Sequence, residues 1–432
     1  MAEYINSYAE HFDIKERISF STKVVRVEKV SEGWKITSVK VDNEGKDQHN
    51  YEETFVKFVA IATGHHARPS VPHFDGQETF PGRIFHSIEY KNAISNSLVG
   101  KKVVVVGIGN SAVDVAVNVV ELGGKKPVSI ASRSGAWIIP NYVLGFPVDH
   151  YACRLYFWLP WGLSNFIFEF IIQSLQGSPW RWNLNPKMHA RQTQPTVSPT
   201  LVHHIQRRNV MVKPNIAALE GNEVVFTDGT KTTADAIVCC TGYKIDLPFL
   251  DSSLKDLALE ENSNRIKLFK QVFVPEIGAS LAFIGFVQPT SGGLLSVSEI
   301  QARWFSELCK GVIKLPLLEK MQQEIKQGQQ KNESIYFASA RHTIQQDPIC
   351  YNDEIASYFG AKPQLWRHPS LAWHLIVSSC GAAQWRLQGP HKWNRAEEVV
   401  RAVPITPLMH YGTLLVLVLL LSIIVFIVVQ CF

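Results

Sequence analysis

Between Lys102 and Arg133 the chain reads Lys-Val-Val-Val-Val-Gly-Ile-Gly-Asn-Ser-Ala-Val-Asp-Val-Ala-Val and runs on to Ile-Ala-Ser-Arg. Four consecutive valines, Val103–Val106, need no alternation only if both faces of the strand are covered, which is the mark of a buried parallel strand. Gly107 is placed to take a tight turn, Gly109 lets backbone come close to a pyrophosphate, and the small Ala112 lets a helix lie flat on the strand. A helix starting near Asn110 would turn its free N–H groups and partial positive charge toward the phosphates. A second apolar strand at Pro127–Ala131 completes the unit. A lone G-x-G-x-x-A is weak, but strand before and helix after are its confirming context. The plainer alternative is a unit that keeps this shape and binds nothing.

The end of the second strand bears on which dinucleotide fits. A free ribose 2′-hydroxyl is usually met there by Asp or Glu, whereas a 2′-phosphate calls for a guanidinium. Ser132 and Arg133 occupy that place with no acid nearby, which favours NADPH over NADH. The competing reading of Arg133 is a solvated surface charge.

The 432 residues suffice for two domains of ordinary size. A net charge of +5 on so long a chain is no argument for nucleic acid, and no Lys/Arg run stands beside interleaved aromatics. The seven cysteines (Cys153, Cys239, Cys240, Cys309, Cys350, Cys380, Cys431) lack metal-ligand spacing and C-x-x-C pairs, which fits a reducing compartment and unpaired thiols. Tyr411–Val429 carries no charge and has the length of one bilayer-spanning helix. Arg395, Arg401 and His410 precede it and no basic residue follows, so the expectation is a C-terminal tail anchor with the folded body in the cytosol.

Along the chain, Met1–Glu16 has helical apolar spacing and is expected to face the core. Ser19–Val30 and Trp34–Val41 alternate like strands around Ser31-Glu32-Gly33. Val56–Ala62 is a further apolar strand ending in Ala62-Thr63-Gly64, and Ala236–Cys240 runs likewise into Thr241-Gly242-Tyr243. Two buried strands ending in Thr-Gly on either side of one dinucleotide unit are expected where a chain crosses twice between nucleotide domains. Taken alone, His86 reads as a hydrogen-bonded structural histidine. The block Tyr151–Gln176 is rich in aromatics but interrupted by Arg154, Pro160 and Glu169, which suits an interfacial or channel-lining segment or a plain aromatic core, and suits a membrane span poorly. Short strands are expected at Val210–Val212, Ile216–Leu219 and Glu223–Phe226. Leu281–Phe286, the loop Gln288–Leu295 and a helix from about Ser296–Glu299 follow.

Together these residues resemble the flavin-containing monooxygenases. Phe80-x-Gly82-x-x-x-His86-x-x-x-Tyr90 is similar to that family's identifying motif, and Gly107-x-Gly109-x-x-Ala112 to its NADPH motif. Cys240-Thr241-Gly242-Tyr243 resembles its Ala-Thr-Gly-Tyr linker, and Phe283–Trp304 its C-terminal flavin-domain segment. Related Baeyer–Villiger enzymes carry Trp-Pro where Tyr90-Lys91 stands here. Family members open with a further G-x-G-x-x-G for the FAD pyrophosphate, and this chain begins downstream of it.

The resemblance implies an α/β flavoprotein with two Rossmann-like dinucleotide-binding domains, the FAD domain truncated at its N-terminus, and a C-terminal transmembrane helix. The expected division is 1–98 and 241–405 for the FAD domain, 99–240 for the NADPH domain with an aromatic insertion near 136–200, and 411–429 for the anchor. The implied cofactors are FAD and NADPH. Expected contacts are Gly107, Gly109, Asn110, Ser111, Ala112, Val113 and Asp114, with Ser132 and Arg133 for the 2′-phosphate. Thr63, Gly64, Thr241 and Gly242 are expected where the domains meet, and Gln288 near the flavin. The implied reaction is oxygenation of a soft amine nitrogen or sulfide sulfur through a C4a-hydroperoxyflavin, on a protein held at the endoplasmic-reticulum membrane and facing the cytosol. The alternatives are an inactive NADP(H)-binding remnant with a structural or regulatory role, and a Baeyer–Villiger-type monooxygenase.

Overall fold

The computed structural model describes residues 2–42, 44–260, 263–338, 343–414, 418 and 422. Helix α1 (Ala2–His11) is followed by an antiparallel meander of β1 (Thr22–Val30), β2 (Gly33–Val41) and β3 (Asp47–Val56). Next come β4 (Val59–Ile61), β5 (Arg83–His86), β6 (Lys102–Val106), α2 (Asn110–Glu121) and β7 (Lys125–Ala131). Helix α3 (Trp161–Gln176) leads to β8 (Val210–Lys213), the second meander β9 (Ile216–Glu220), β10 (Glu223–Phe226) and β11 (Lys231–Thr233), and then β12 (Ala236–Cys239). Strand β13 (Leu281–Phe283), α4 (Leu294–Cys309), α5 (Leu318–Ile335) and α6 (Pro348–Tyr358) follow.

The valine run forms the middle of a five-stranded sheet of order β8-β7-β6-β12-β5, parallel throughout. Side chains alternate across a strand, so Val103 and Val105 enter the core beneath α2, while Val104 and Val106 pack against Ile216, Val224 and Phe226 of the second meander. All four are at most 6% exposed. A helix on one face and a meander on the other explain why the strand is apolar at every position. A second, smaller pairing joins β4 to β13 in parallel, with its own core of Trp34, Ile61, Leu247, Leu281 and Phe286. Two stretches connect these bodies, and they pair with each other: Arg68–Pro69 runs antiparallel to Tyr243–Lys244.

Several expectations need correction. Helix α1 buries none of its residues; Tyr4, Ile5 and Tyr8 are exposed, because nothing among the described residues covers that face. Strand β3, rich in polar residues, was not anticipated. The aromatic block folds as Arg154–Trp158 and α3, and α3 is inverted relative to a core helix: it buries Ser164, Asn165 and Ile172 and exposes Leu163, Phe166 and Phe170. Its polar inner face is satisfied by Glu169, whose Oε1 accepts from Asn165 Nδ2 and from the Ala190 amide, both at 3.0 Å. The transmembrane expectation at 411–429 falls, apart from 411–414, 418 and 422, outside the described residues. Among the described residues no helix is long and apolar enough to cross a membrane.

Candidate functional site

The β6–α2 turn is set by a neighbouring carbonyl. Gly107 has φ +118°, and a Cβ built there would lie 2.5 Å from the carbonyl oxygen of Cys240 at the end of β12. Only glycine fits that turn. Helix α2 opens at Asn110 with Gly109 as its cap residue and no side-chain cap. Its first N–H groups therefore have no intrahelical acceptor and face the cleft beyond the sheet, a site built for an anion. Ala112 (1% exposed) lets the helix close on the sheet, and Val113 (0%) is core, so its side chain is not offered to a ligand. Asp114 lies one turn further along, and partial desolvation holds its carboxyl above the usual range.

The cleft, of 190 Å³, brings together Gly109, Asn110, Ser111, Gly242 and Gln288 with His65, His66 and Tyr243. A cover that the sequence did not announce closes over it. Thr196 Oγ1 donates to the Ile108 carbonyl (2.8 Å), and the Val197 amide donates to Asn110 Oδ1 (2.9 Å). The Asn110 side chain is thus committed to holding this cover. Gln288 Nε2 donates to Gln194 Oε1 (2.7 Å) across the cleft, joining the loop after β13 to the same cover.

Thr241 does not line the cleft; its hydroxyl donates to the Ser70 carbonyl, and the Ser70 amide donates back to Gly242 O (2.9 Å). Those bonds tie the two crossings together. Thr63 is exposed, and Gly64 (φ +77°) has open space where a Cβ would stand. The residues of the identifying motif brace the site from behind. Phe80 is core, and a Cβ on Gly82 would meet the Asp235 carbonyl at 2.4 Å. Tyr90 donates to Asn118 Oδ1 on α2 (2.6 Å), and burial pushes its phenol up to about 12.

His86 is 2% exposed. Its Nδ1 accepts from the Ile88 amide (3.2 Å), which leaves the proton on Nε2 to be donated to the Gly242 carbonyl (3.0 Å). Burial holds this imidazole below its ordinary pKa, so it stays neutral and fixes the linker.

A second cavity, of 500 Å³, opens past the ends of β7 and β8. Arg133 reaches it with no carboxylate partner among the described residues, and Lys187 and Lys213 line it too. The Ser132 hydroxyl is used locally, accepting from the Gly135 amide (3.0 Å). Neither lysine was singled out in the sequence, because one lies in an irregular stretch and the other ends a strand distant in the chain. Three cations and one carboxylate, Asp228, line this strand end, and the excess of positive charge suits a phosphate monoester.

The residues present fit a nicotinamide dinucleotide phosphate: one open helix N-terminus, a glycine turn that admits no side chain, and a basic cavity at the adenosine end. For a flavin the fit is one-sided. Gly64, Gly292 and Gly293 all face open space, with α4 starting at Leu294 behind them. The sequence holds a single Gly-x-Gly, and β6–α2 uses it.

Comparison with known proteins agrees with this geometry. The family described as FMO-like, flavin-binding monooxygenase-like, matches residues 1–404. Flavin-containing monooxygenase 5 of Homo sapiens is 35% identical over 425 residues, covering 92% of this chain and 75% of the human protein. Among solved structures, S-allyl-L-cysteine S-oxygenase from Allium sativum superposes with a TM-score of 0.58 at 21% identity, over 92% of this chain and 75% of that one. Cyclohexanone monooxygenase from Rhodococcus sp. Phi1, bound to NADP+, gives 0.52 at 15% identity over 77% and 74%. The two structures speak for the fold; the family match and the human relative place this chain in the flavin-binding monooxygenase-like family.

Proposed function

We propose that this chain oxygenates a soft nucleophilic nitrogen or sulfur of small organic molecules, with NADPH as reductant and O2 as co-substrate. Family members use FAD and NADPH. The observation that carries the reading is the pairing of the β6–α2 phosphate cradle with the Arg133, Lys187 and Lys213 cavity beside it, past β7 and β8 at the same carboxyl edge of the parallel sheet. The amides at the start of α2 would hold the pyrophosphate and the three cations the 2′-phosphate, leaving the nicotinamide end in the cleft beside His65, His66 and Tyr243. The flavin, when bound, supplies hydride acceptance and oxygen activation. This chain's share is orientation and exclusion of water: the Gln194–Gln288 bridge and the Thr196–Val197 cover close the cleft, and neutral His86 keeps the Gly242 carbonyl in place. Among the described residues no group of His, Cys, Asp and Glu is arranged to hold a metal.

The outward aromatic face of α3 and the apolar run 411–429 support placing the protein on a membrane, with the endoplasmic reticulum's cytosolic face as the proposed site. The functional test is direct. The 432-residue chain supplied with FAD, NADPH, air and methyl p-tolyl sulfide is expected to consume NADPH and yield the sulfoxide. Colourless protein with no NADPH consumption would remove the enzyme reading. It would leave the second one, an NADP(H)-binding protein without turnover. Lactone formation from cyclic ketones, with no sulfoxide, would point instead to Baeyer–Villiger chemistry.

A further inference from the structure

Residues 187–197 form a strap that reaches both parts of the dinucleotide site. Lys187 lines the basic cavity with Arg133, while Gln194, Pro195 and Thr196 line the cleft with Gly109 and Ser111. Both ends of the strap are pinned to residues 134–139, just after β7. The Lys187 amide donates to the Ser134 carbonyl (2.9 Å), and Trp137 Nε1 donates to the Met188 carbonyl (2.8 Å). At the other end the Thr196 amide donates to the Trp137 carbonyl and the Ser198 amide to the Ile139 carbonyl, both at 2.9 Å. The Thr196–Ile108 and Val197–Asn110 bonds add to these.

The middle of the strap is held elsewhere, by the polar inner face of α3. Glu169 Oε1 accepts from Asn165 Nδ2, from the Ala190 amide and from His189 Nδ1, each at 3.0 Å. The Arg191 amide donates to Asn165 Oδ1 (3.0 Å), and the Arg191 guanidinium donates to Ser164 Oγ and to Asp347 Oδ2, the latter at 3.2 Å. Asp347 Oδ1 accepts in turn from the Thr290 hydroxyl (3.0 Å), on the loop after β13. Glu169 is the shared post of this network. Its side chain is 18% exposed, and neither it nor Asn165 lines the cleft. An apolar inner face would serve packing alone. Hydrogen bonds are directional, so a polar face fixes where the strap lies.

We propose that Glu169 is a positioning residue for the dinucleotide. By holding the middle of the strap it sets both Lys187 and Gln194–Thr196, and with them the affinity for NADP+ and the preference for NADP+ over NAD+. This rests on the dinucleotide reading above. A loop already held in its bound conformation spares the cost of ordering it on binding. A strap released from α3 therefore gives up affinity without losing any group that touches the nucleotide. NAD+ has no phosphate for Lys187 to meet, so it loses less than NADP+.

Calorimetry with NADP+ and NAD+ on the 432-residue chain reads the effect. Glu169→Ala strips three donors of their acceptor and should weaken NADP+ about 10-fold or more but NAD+ only about 3-fold, narrowing the preference. Glu169→Gln keeps an acceptor oxygen in place and should stay within about 2-fold of wild type. Asn165→Ala frees the Arg191 amide while keeping the carboxylate. It should weaken NADP+ about 3-fold, and it carries the test alone if Glu169→Ala does not fold. Val400→Ala, in a separate core with Leu371 and Leu375, lowers stability away from the strap and should leave both affinities unchanged. Trypsin cleavage after Arg191, followed by mass spectrometry without nucleotide, should be about 10-fold faster in Glu169→Ala than in wild type, with Val400→Ala near the wild-type rate. Wild-type affinity and preference in both Glu169→Ala and Asn165→Ala overturn the proposal. So does an equal loss in Val400→Ala, or cleavage at Arg191 that Glu169→Ala does not accelerate. A wild type that binds neither nucleotide, with Arg191 nonetheless exposed by Glu169→Ala, strikes the dinucleotide reading instead and removes the positioning role with it.

Discussion

Replacing Gly107 by alanine tests the cradle at its tightest point. The added Cβ would stand 2.5 Å from the Cys240 carbonyl oxygen and 3.2 Å from its carbon, both backbone atoms. Restoring an ordinary contact of 3.4 Å requires a shift of about 0.9 Å in the turn or in the end of β12. The backbone conformation itself, at φ +118°, is one a side chain rarely adopts and costs ~1–3 kcal/mol. Overpacking against the sheet adds ~1–3 kcal/mol. The Cys240 amide donates to the Val106 carbonyl at 2.8 Å, so any retreat of Cys240 strains the centre of the sheet and moves Thr241-Gly242 with it. We expect Gly107→Ala to lose ~2–6 kcal/mol of stability on the sum of those two costs, with NADP+ affinity falling about 10-fold or more. Gly293→Ala, where a Cβ meets nothing, should change stability by no more than about 0.5 kcal/mol. Urea midpoints and calorimetric NADP+ titration read both effects. A Gly107→Ala protein with the wild-type midpoint and affinity would refute the argument from the Cys240 carbonyl.

Arg133→Ala should weaken NADP+ by about 10-fold, the low end for a charge-assisted contact because Lys187 and Lys213 share the cavity, and leave NAD+ unchanged; titration of both nucleotides checks it. Asp353 accepts from Arg154 Nε (2.9 Å), Arg154 Nη2 (2.8 Å) and Trp385 Nε1 (2.8 Å) in the interior, so Asp353→Ala strands a buried guanidinium and should cost ~3–5 kcal/mol by urea unfolding. His65, His66 and His86 are each held below 6.5 by desolvation. Their contribution to stability is therefore complete above 6.5 and is lost as pH falls through their folded values. Urea midpoints should drop between about pH 7 and pH 5, and less steeply in His86→Gln.

The strand-turn-helix of Val103–Glu121 was legible because three local signals coincide: an apolar run with no alternation, glycines at the turn, and helical spacing after it. The meanders were legible where residues alternate, and β3 was missed because Asp47–Glu53 carries polar groups on both faces of an edge strand. The aromatic block leaves an interfacial segment and an aromatic core both open, because aromatic content does not encode direction; the contacts of α3 with the Ala190 stretch show that its polar side faces inward and its aromatics outward. The cofactor cover and the cations beside Arg133 arise from residues some 50–90 positions away in the chain, and no local pattern carries such contacts. His86 was rightly read as structural, but the carbonyl it holds, 156 positions on, is a property of the fold.

The central claim is that one phosphate cradle and one basic cavity on a single parallel sheet serve a dinucleotide bearing a 2′-phosphate. Calorimetric titration of the wild-type chain with NADP+ and NAD+ under matched salt measures it most directly. The account predicts NADP+ binding at least about 10-fold tighter than NAD+. Equal affinities, or no binding of either, would contradict it.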